Sequence, residues 1–251
     1  MLPVLFQYGP FTLRSFDIFL ACGFIFSIFF LMRYSVRKKI NFSFLSNNLL
    51  IILGIGIFLG RILFFLEHFS LLWTEPWRIL FIWDLNFSFF GVIYGCLIAL
   101  FIYCKKNREN FWAWLDAFTL AGLVFLFFLS LGNFFEGSNY GLPTDLPWGI
   151  LFNNIDVPFA IPIHPTQLYL ALAAFAVFSY LMRYNKRHHQ PGIVGTAGIM
   201  IMGLLLLGLD FLHGIPSFYL KANATLLAVV AFGGFIFCGQ AASPLQKFLS
   251  E

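Results

Sequence analysis

Between Leu131 and Tyr169 the chain reads LGNFFEGSNYGLPTDLPWGILF, a spacer, then HPTQLY, and gathers Asn133, Glu136, Asn139, Tyr140, Asp145, His164, Thr166, Gln167 and Tyr169. These are residue types that move protons (His164, Glu136) and offer hydrogen bonds to a polar ligand (Asn133, Asn139, Tyr140). Two further sites stand out in apolar runs. Arg61 carries a charge inside one, and Asp210 and His213, three residues apart, share a helix face at the end of another. Polar groups are costly in lipid and are kept where they pair, line a wet cavity or do chemistry.

The surrounding sequence says what must hold them. The 251 residues are 60% hydrophobic and only 10% charged, with a mean hydropathy of +0.86. Soluble domains carry about 25% charged residues, so an integral membrane protein is expected. The net charge of +4 is no argument for a nucleic-acid partner. Cys22, Cys96, Cys104 and Cys238 form no CxxC pair or metal-ligand spacing and read as buried thiols; no metal or organic cofactor is expected. A removable signal peptide is not expected either, since no basic region precedes the first apolar run.

Seven runs approach the 20 or so residues that a crossing requires: roughly 15–32, 46–66, 87–104, 111–131, 166–182, 192–211 and 223–241. They are continuous rather than alternating, which predicts helices and no strands. The fold expected is an all-α integral membrane protein of seven transmembrane helices, a single polytopic domain over 1–251. Arg33, Arg37, Lys38 and Lys39, then Lys105, Lys106 and Arg108, then Arg183, Lys186 and Arg187 fall in alternate loops, with Lys247 near the C-terminus. The opposite side has Arg14, Arg78 and Lys221. The positive-inside rule then puts the N-terminus outside and the C-terminus in the cytoplasm. Outer-face loops are expected at about 67–86, with Trp73, Trp77 and Trp83 at headgroup depth, and at 132–165, where Gly-Leu-Pro-Thr and Leu-Pro-Trp-Gly imply defined turns. The pairs Gly56/Gly60 and Gly91/Gly95 are spaced for close helix packing.

The 131–169 block resembles the signature of the bacterial prolipoprotein diacylglyceryl transferases. Gly9-Pro10, Gly60-Arg61, FSFFGVIYG at 87–95 and DFLHG at 210–214 resemble further family blocks, in the same order. The resemblance implies transfer of a diacylglyceryl group from phosphatidylglycerol to the lipobox cysteine thiol of a prolipoprotein, near the outer face of the bacterial plasma (inner) membrane. The implied partners are a phosphatidylglycerol-type lipid, the prolipoprotein signal peptide and the bilayer. Such chemistry needs a headgroup pocket, a base for the thiol, because the thiolate is the nucleophile, and stabilisation of the leaving glycerol phosphate.

On this resemblance His164, Asp210 and Glu136 are the catalytic candidates, and Arg61, Asn133, Asn139, Tyr140, Gly141 and His213 the substrate-binding ones. Each has a plainer reading beside it. Arg61 is a phosphate clamp or the partner of a buried carboxylate such as Asp17 or Asp210. His164 handles protons or the headgroup, or is an interfacial histidine at a helix start. Gln167 and Tyr169 organise that start, Gly141 serves backbone geometry, and Asp210 and His213 pair with each other. The chain also departs from the family pattern. Ser130 and Leu206 stand where the family has arginines, Phe90 and Val92 change the third-span block, and Phe16 and Leu170 replace a Tyr and a Glu. Ser and Leu cannot supply a bidentate guanidinium fork. An inactive family member that binds lipid or lipoprotein without turnover is therefore the alternative, and a small transporter or assembly factor a third.

Overall fold

The computed structural model describes residues 4–8, 11–81, 86–151, 161–186, 190–213, 222–223, 225–236 and 238. Six helices among them are long and apolar enough to cross a membrane: α1 Ser15–Arg37, α2 Phe42–Glu67, α4 Phe89–Asn107, α5 Phe111–Glu136, α6 Thr166–Tyr184 and α7 Ile193–Asp210. The protein is a multi-pass membrane protein. A short helix α3, Phe69–Thr74, and a 3-10 turn, Pro76–Leu80, follow α2. Within the expected run 223–241 the described helix is α8, Thr225–Ile236. Gly9-Pro10, Trp83, Arg187, Gly214, Lys221 and Lys247 lie outside the described residues.

Several helices outrun their apolar stretches. α1 continues to Arg37 and α4 to Asn107, because long basic side chains favour helix and reach the headgroups by extending their stems. One feature departs from the expectation of helices alone: Val4–Tyr8 (β1) and Phe11–Arg14 (β2) pair antiparallel, Tyr8 opposite Phe11 and Val4 opposite Arg14. A segment this short cannot span lipid as a helix, and a hairpin satisfies its inner backbone groups locally.

The chain divides into two compact units, one of Met1–Tyr34 with Asp116–Glu251, the other of Ser35–Leu115. In the second, α2 and α4 meet on their glycines. A Cβ built on Gly91 would lie 2.8 Å from the Gly60 Cα, and one on Gly95 2.8 Å from the Gly56 Cα. Only hydrogens at these positions let the backbones approach so closely. Ser88 caps α4, its Oγ accepting from Gly91 N at 3.5 Å while donating to Glu67 Oε1 at 2.9 Å.

In the first unit phenylalanines knit the helices: Phe19 stacks on Phe135 at 5.0 Å and Phe26 on Phe128 at 5.1 Å, and Phe30 meets Phe178 edge-on. This packing accounts for part of the Phe excess, 36 residues. The start of α7 is closed by a carboxylate from another helix. Asp116, 6% exposed, accepts from Gly192 N at 2.9 Å and Gly195 N at 2.5 Å. The helix dipole and two orphan amides both favour the negative charge there. Asp116→Ala is expected to destabilise the fold by about 2 kcal/mol, read as a lowered midpoint of denaturant unfolding in lipid–detergent micelles. Asp116→Asn should recover part of the loss; an unchanged midpoint for Asp116→Ala would remove the cap from the account.

Candidate functional site

The site is assembled where α5 ends. Gly137 N bonds Asn133 O at 2.9 Å and Ser138 N the same oxygen at 3.1 Å. The chain leaves the helix through left-handed conformations at Gly137 (φ 83°) and Asn139 (φ 55°). Glycine and asparagine are the residues that accept this region most readily. The reversal puts Ser138 Oγ 3.2 Å from both Asn133 Oδ1 and Glu136 Oε2. One hydroxyl proton faces two acceptors, so the cluster is rich in acceptors. Across from it Arg14 Nη1 lies 3.5 Å from Glu136 Oε1, and Arg14 N donates to Asp17 Oδ2 at 3.2 Å.

The first turn of α6 locks this reversal. Gln167 Nε2 donates to Ser138 O at 2.6 Å and Thr166 Oγ1 to Asn139 O at 2.7 Å, and both side chains are buried. Gln167 thus does more than start its own helix: it holds the polar turn.

A main-chain junction centred on Gly141 follows. Gly141 N donates to His164 O (3.1 Å), His164 N to Leu142 O (2.9 Å) and Leu142 N to Leu212 O (2.8 Å). Gly141 and His213 form an antiparallel bridge, as do Ile150 and Ile163. Ile163 is fully buried under Phe134, Tyr140 and Ile150. A Cβ on Gly141 would lie 2.6 Å from both the Cβ and the carbonyl O of His164 and 2.9 Å from Leu212 O. The glycine is required by crowding, not by its φ.

Past the junction, His164 Nδ1 lies 3.2 Å from Tyr169 Oη, and Trp148 Nε1 donates to the same oxygen at 2.9 Å. Indole N–H only donates. The Tyr169 hydroxyl therefore accepts from Trp148 and, as acceptor or donor, also bonds His164 Nδ1, which fixes the orientation of the imidazole. At the end of α7, Asp210 is buried and its carbonyl accepts from His213 N at 3.2 Å. Burial pushes the His213 imidazole below the ordinary histidine range, with the Asp210 charge opposing.

The structure therefore brings Asn133, Glu136, Asn139, Tyr140, Gly141, His164, Asp210 and His213 into one constellation of the first unit. Asp145 stays exposed on its loop. Arg61 belongs to the second unit. Buried at 4% exposure, it donates to the carbonyls of Ile79 (3.4 Å), Asn86 (2.7 Å), Arg78 (2.5 Å) and Phe81 (2.6 Å). Its guanidinium also lies over the Phe65 and Phe87 rings. Four of five N–H donors thus hold the loop after α2, a role that neither sequence reading of Arg61 contained. Ser130 is buried, with Oγ donating to Leu126 O at 2.7 Å inside α5. Sequence reasoning singled out neither Ser138 nor Trp148; the paired left-handed formers Gly137 and Asn139 were the signal for Ser138, while nothing local marked Trp148.

Helical spans, with a hydrogen-bonded polar cluster built on a short main-chain junction at the ends of α5, α6 and α7, define an intramembrane protein whose site sits at the edge of its spans. A family model described as prolipoprotein diacylglyceryl transferase matches residues 3–239, and the chain belongs to that family. Relatives named phosphatidylglycerol–prolipoprotein diacylglyceryl transferase include one from Clostridium tetani, 28% identical over 92% of this chain and 92% of its own length. Another, from Vibrio atlanticus, is 29% identical over 95% and 84%, and a third, from Geobacter sulfurreducens, 29% identical over 83% and 81%.

Proposed function

We propose that this chain transfers the diacylglyceryl group of phosphatidylglycerol to the lipobox cysteine thiol of prolipoproteins, at the outer face of the bacterial plasma membrane. The arrangement proposed with it is a single polytopic domain of seven spans, N-terminus outside and C-terminus in the cytoplasm, that receives the prolipoprotein signal peptide from the bilayer. The observation that carries the reading is the convergence of the signature residues on the Gly141 junction.

In the transfer a C–S bond forms as the C–O bond to phosphate breaks; the thiol proton goes to a base and glycerol phosphate leaves. Glu136 and Asp210 are the carboxylates proposed to take that proton. His164, held at Nδ1 by Tyr169, is suited to donate to the leaving phosphate. Asn133, Asn139 and Tyr140 offer hydrogen bonds to the headgroup and Gly141 and His213 shape its pocket, while Arg61 fixes the loop that follows α2.

The test is lipidation of a lipobox peptide in phosphatidylglycerol vesicles containing the full-length protein. A thioether-linked product is expected, and it should disappear when the peptide cysteine is serine. No product, under conditions where a standard family member works, sinks the transferase reading. The second reading, a family member that binds lipid without turnover, is favoured by Ser130 and Leu206, which place no cation at two family arginine positions. It predicts phosphatidylglycerol binding with no product.

A further inference from the structure

We propose that Arg14, at the end of β2, is the cation that contacts the phosphate of the lipid headgroup at the Asn133–Glu136–Ser138 cluster. The proposal deepens the transferase reading and rests on it for the identity of the ligand.

A phosphodiester needs cationic or charge-assisted donors, and the positions expected to supply them do not. Ser130 spends its hydroxyl on the Leu126 carbonyl of its own helix, and Leu206 is apolar. His213 is held toward its neutral form by burial. Arg61 commits four N–H donors to main-chain carbonyls. Arg14 differs from all of these. Its side chain is 58% exposed, and among the described residues its guanidinium has one partner, Glu136, at a long 3.5 Å. Most of its five N–H donors therefore remain available.

The ion pair itself suggests how the site works. A pair this exposed and this long contributes little, so a phosphate arriving beside Asn133 and Ser138 can draw the guanidinium off Glu136 with little loss. Glu136 Oε2 keeps Ser138 Oγ at 3.2 Å, and its other oxygen is then released from the cation. One side chain would thus bind the phosphate and expose the base. Arg14 is held in the hairpin by its register opposite Val4, and its tie to α5 is the Glu136 pair itself.

The experiment measures phosphatidylglycerol binding to the full-length protein in nanodiscs of phosphatidylcholine, separately from turnover. Arg14→Ala is expected to raise the half-saturating phosphatidylglycerol content about tenfold or more, and Arg14→Lys to restore much of it. Lys106→Ala, which removes the same charge elsewhere, should not change it. Glu136→Gln separates a bound phosphate from a merely structural ion pair: it should leave the affinity intact or tighten it. Binding of diacylglycerol, which has no phosphate, should be indifferent to Arg14. Free glycerol phosphate distinguishes a site that needs only the phosphate from one that needs the lipid; its competition should weaken in Arg14→Ala. Unchanged phosphatidylglycerol affinity in Arg14→Ala, or the same loss in Glu136→Gln, overturns the proposal. If the unmutated chain makes no lipidated peptide yet loses phosphatidylglycerol affinity with Arg14→Ala, the transferase reading fails and the Arg14 site stands.

Discussion

Gly141→Ala is expected to lower diacylglyceryl transfer by about a hundredfold, with the protein still inserted in the membrane. The added Cβ would meet the His164 carbonyl oxygen at 2.6 Å and Leu212 O at 2.9 Å. Both are main-chain atoms, so no flexible side chain can swing away. Relief requires three segments to part: the loop carrying Tyr140, the segment carrying His164, and the chain at and just past the end of α7, with Asp210 and His213. Overpacking of this kind costs about 1–3 kcal/mol of stability, which a multi-pass membrane protein should survive. The activity is more sensitive, because a shift of about 1 Å in a reacting group can cost about a hundredfold. Gly122→Ala is the matched control: a Cβ there meets nothing within 4 Å, and both stability and rate should stay near the unmutated values. A Gly141→Ala protein with near-normal rate would show that the junction does not set the catalytic geometry.

That crowding at Gly141 illustrates where sequence reading stops. Hydropathy placed the six long helices to within a few residues, because apolar run length and helix length are tied by the bilayer. Residue type alone drew attention to Asn133, Glu136 and His164, since polar groups in such a chain need a reason. The partners were a different matter. The ties from Gln167 to Ser138 and from Trp148 to Tyr169 join residues 29 and 21 positions apart, and no local pattern encodes them. Arg61 was read as a cation in search of an anion, yet in the described structure it faces carbonyl oxygens, which sequence shows at every position and therefore at none. The β1–β2 hairpin escaped notice because each strand is only four or five residues long and too short for a periodicity test.

The second large effect is expected at His164. His164→Ala should reduce transfer by about 10²–10⁴-fold, the usual contribution of a positioned proton-transfer group. The decisive comparison is with Tyr169→Phe. In the native arrangement Trp148 donates to Tyr169 Oη and Tyr169 Oη bonds His164 Nδ1, which orients the ring. Phenylalanine keeps the ring packing and removes only the hydroxyl. About tenfold should be lost, the worth of one hydrogen bond at the transition state. Because Tyr169 acts through His164, the double variant should be no slower than His164→Ala alone. Trp148→Phe should resemble Tyr169→Phe in direction and be smaller, since it leaves the tyrosine hydroxyl in place. Additive losses in the double variant would mean that Tyr169 meets the substrate itself. A Tyr169→Phe protein with full rate and an unchanged pH profile would mean that this chain of hydrogen bonds has no part in the chemistry.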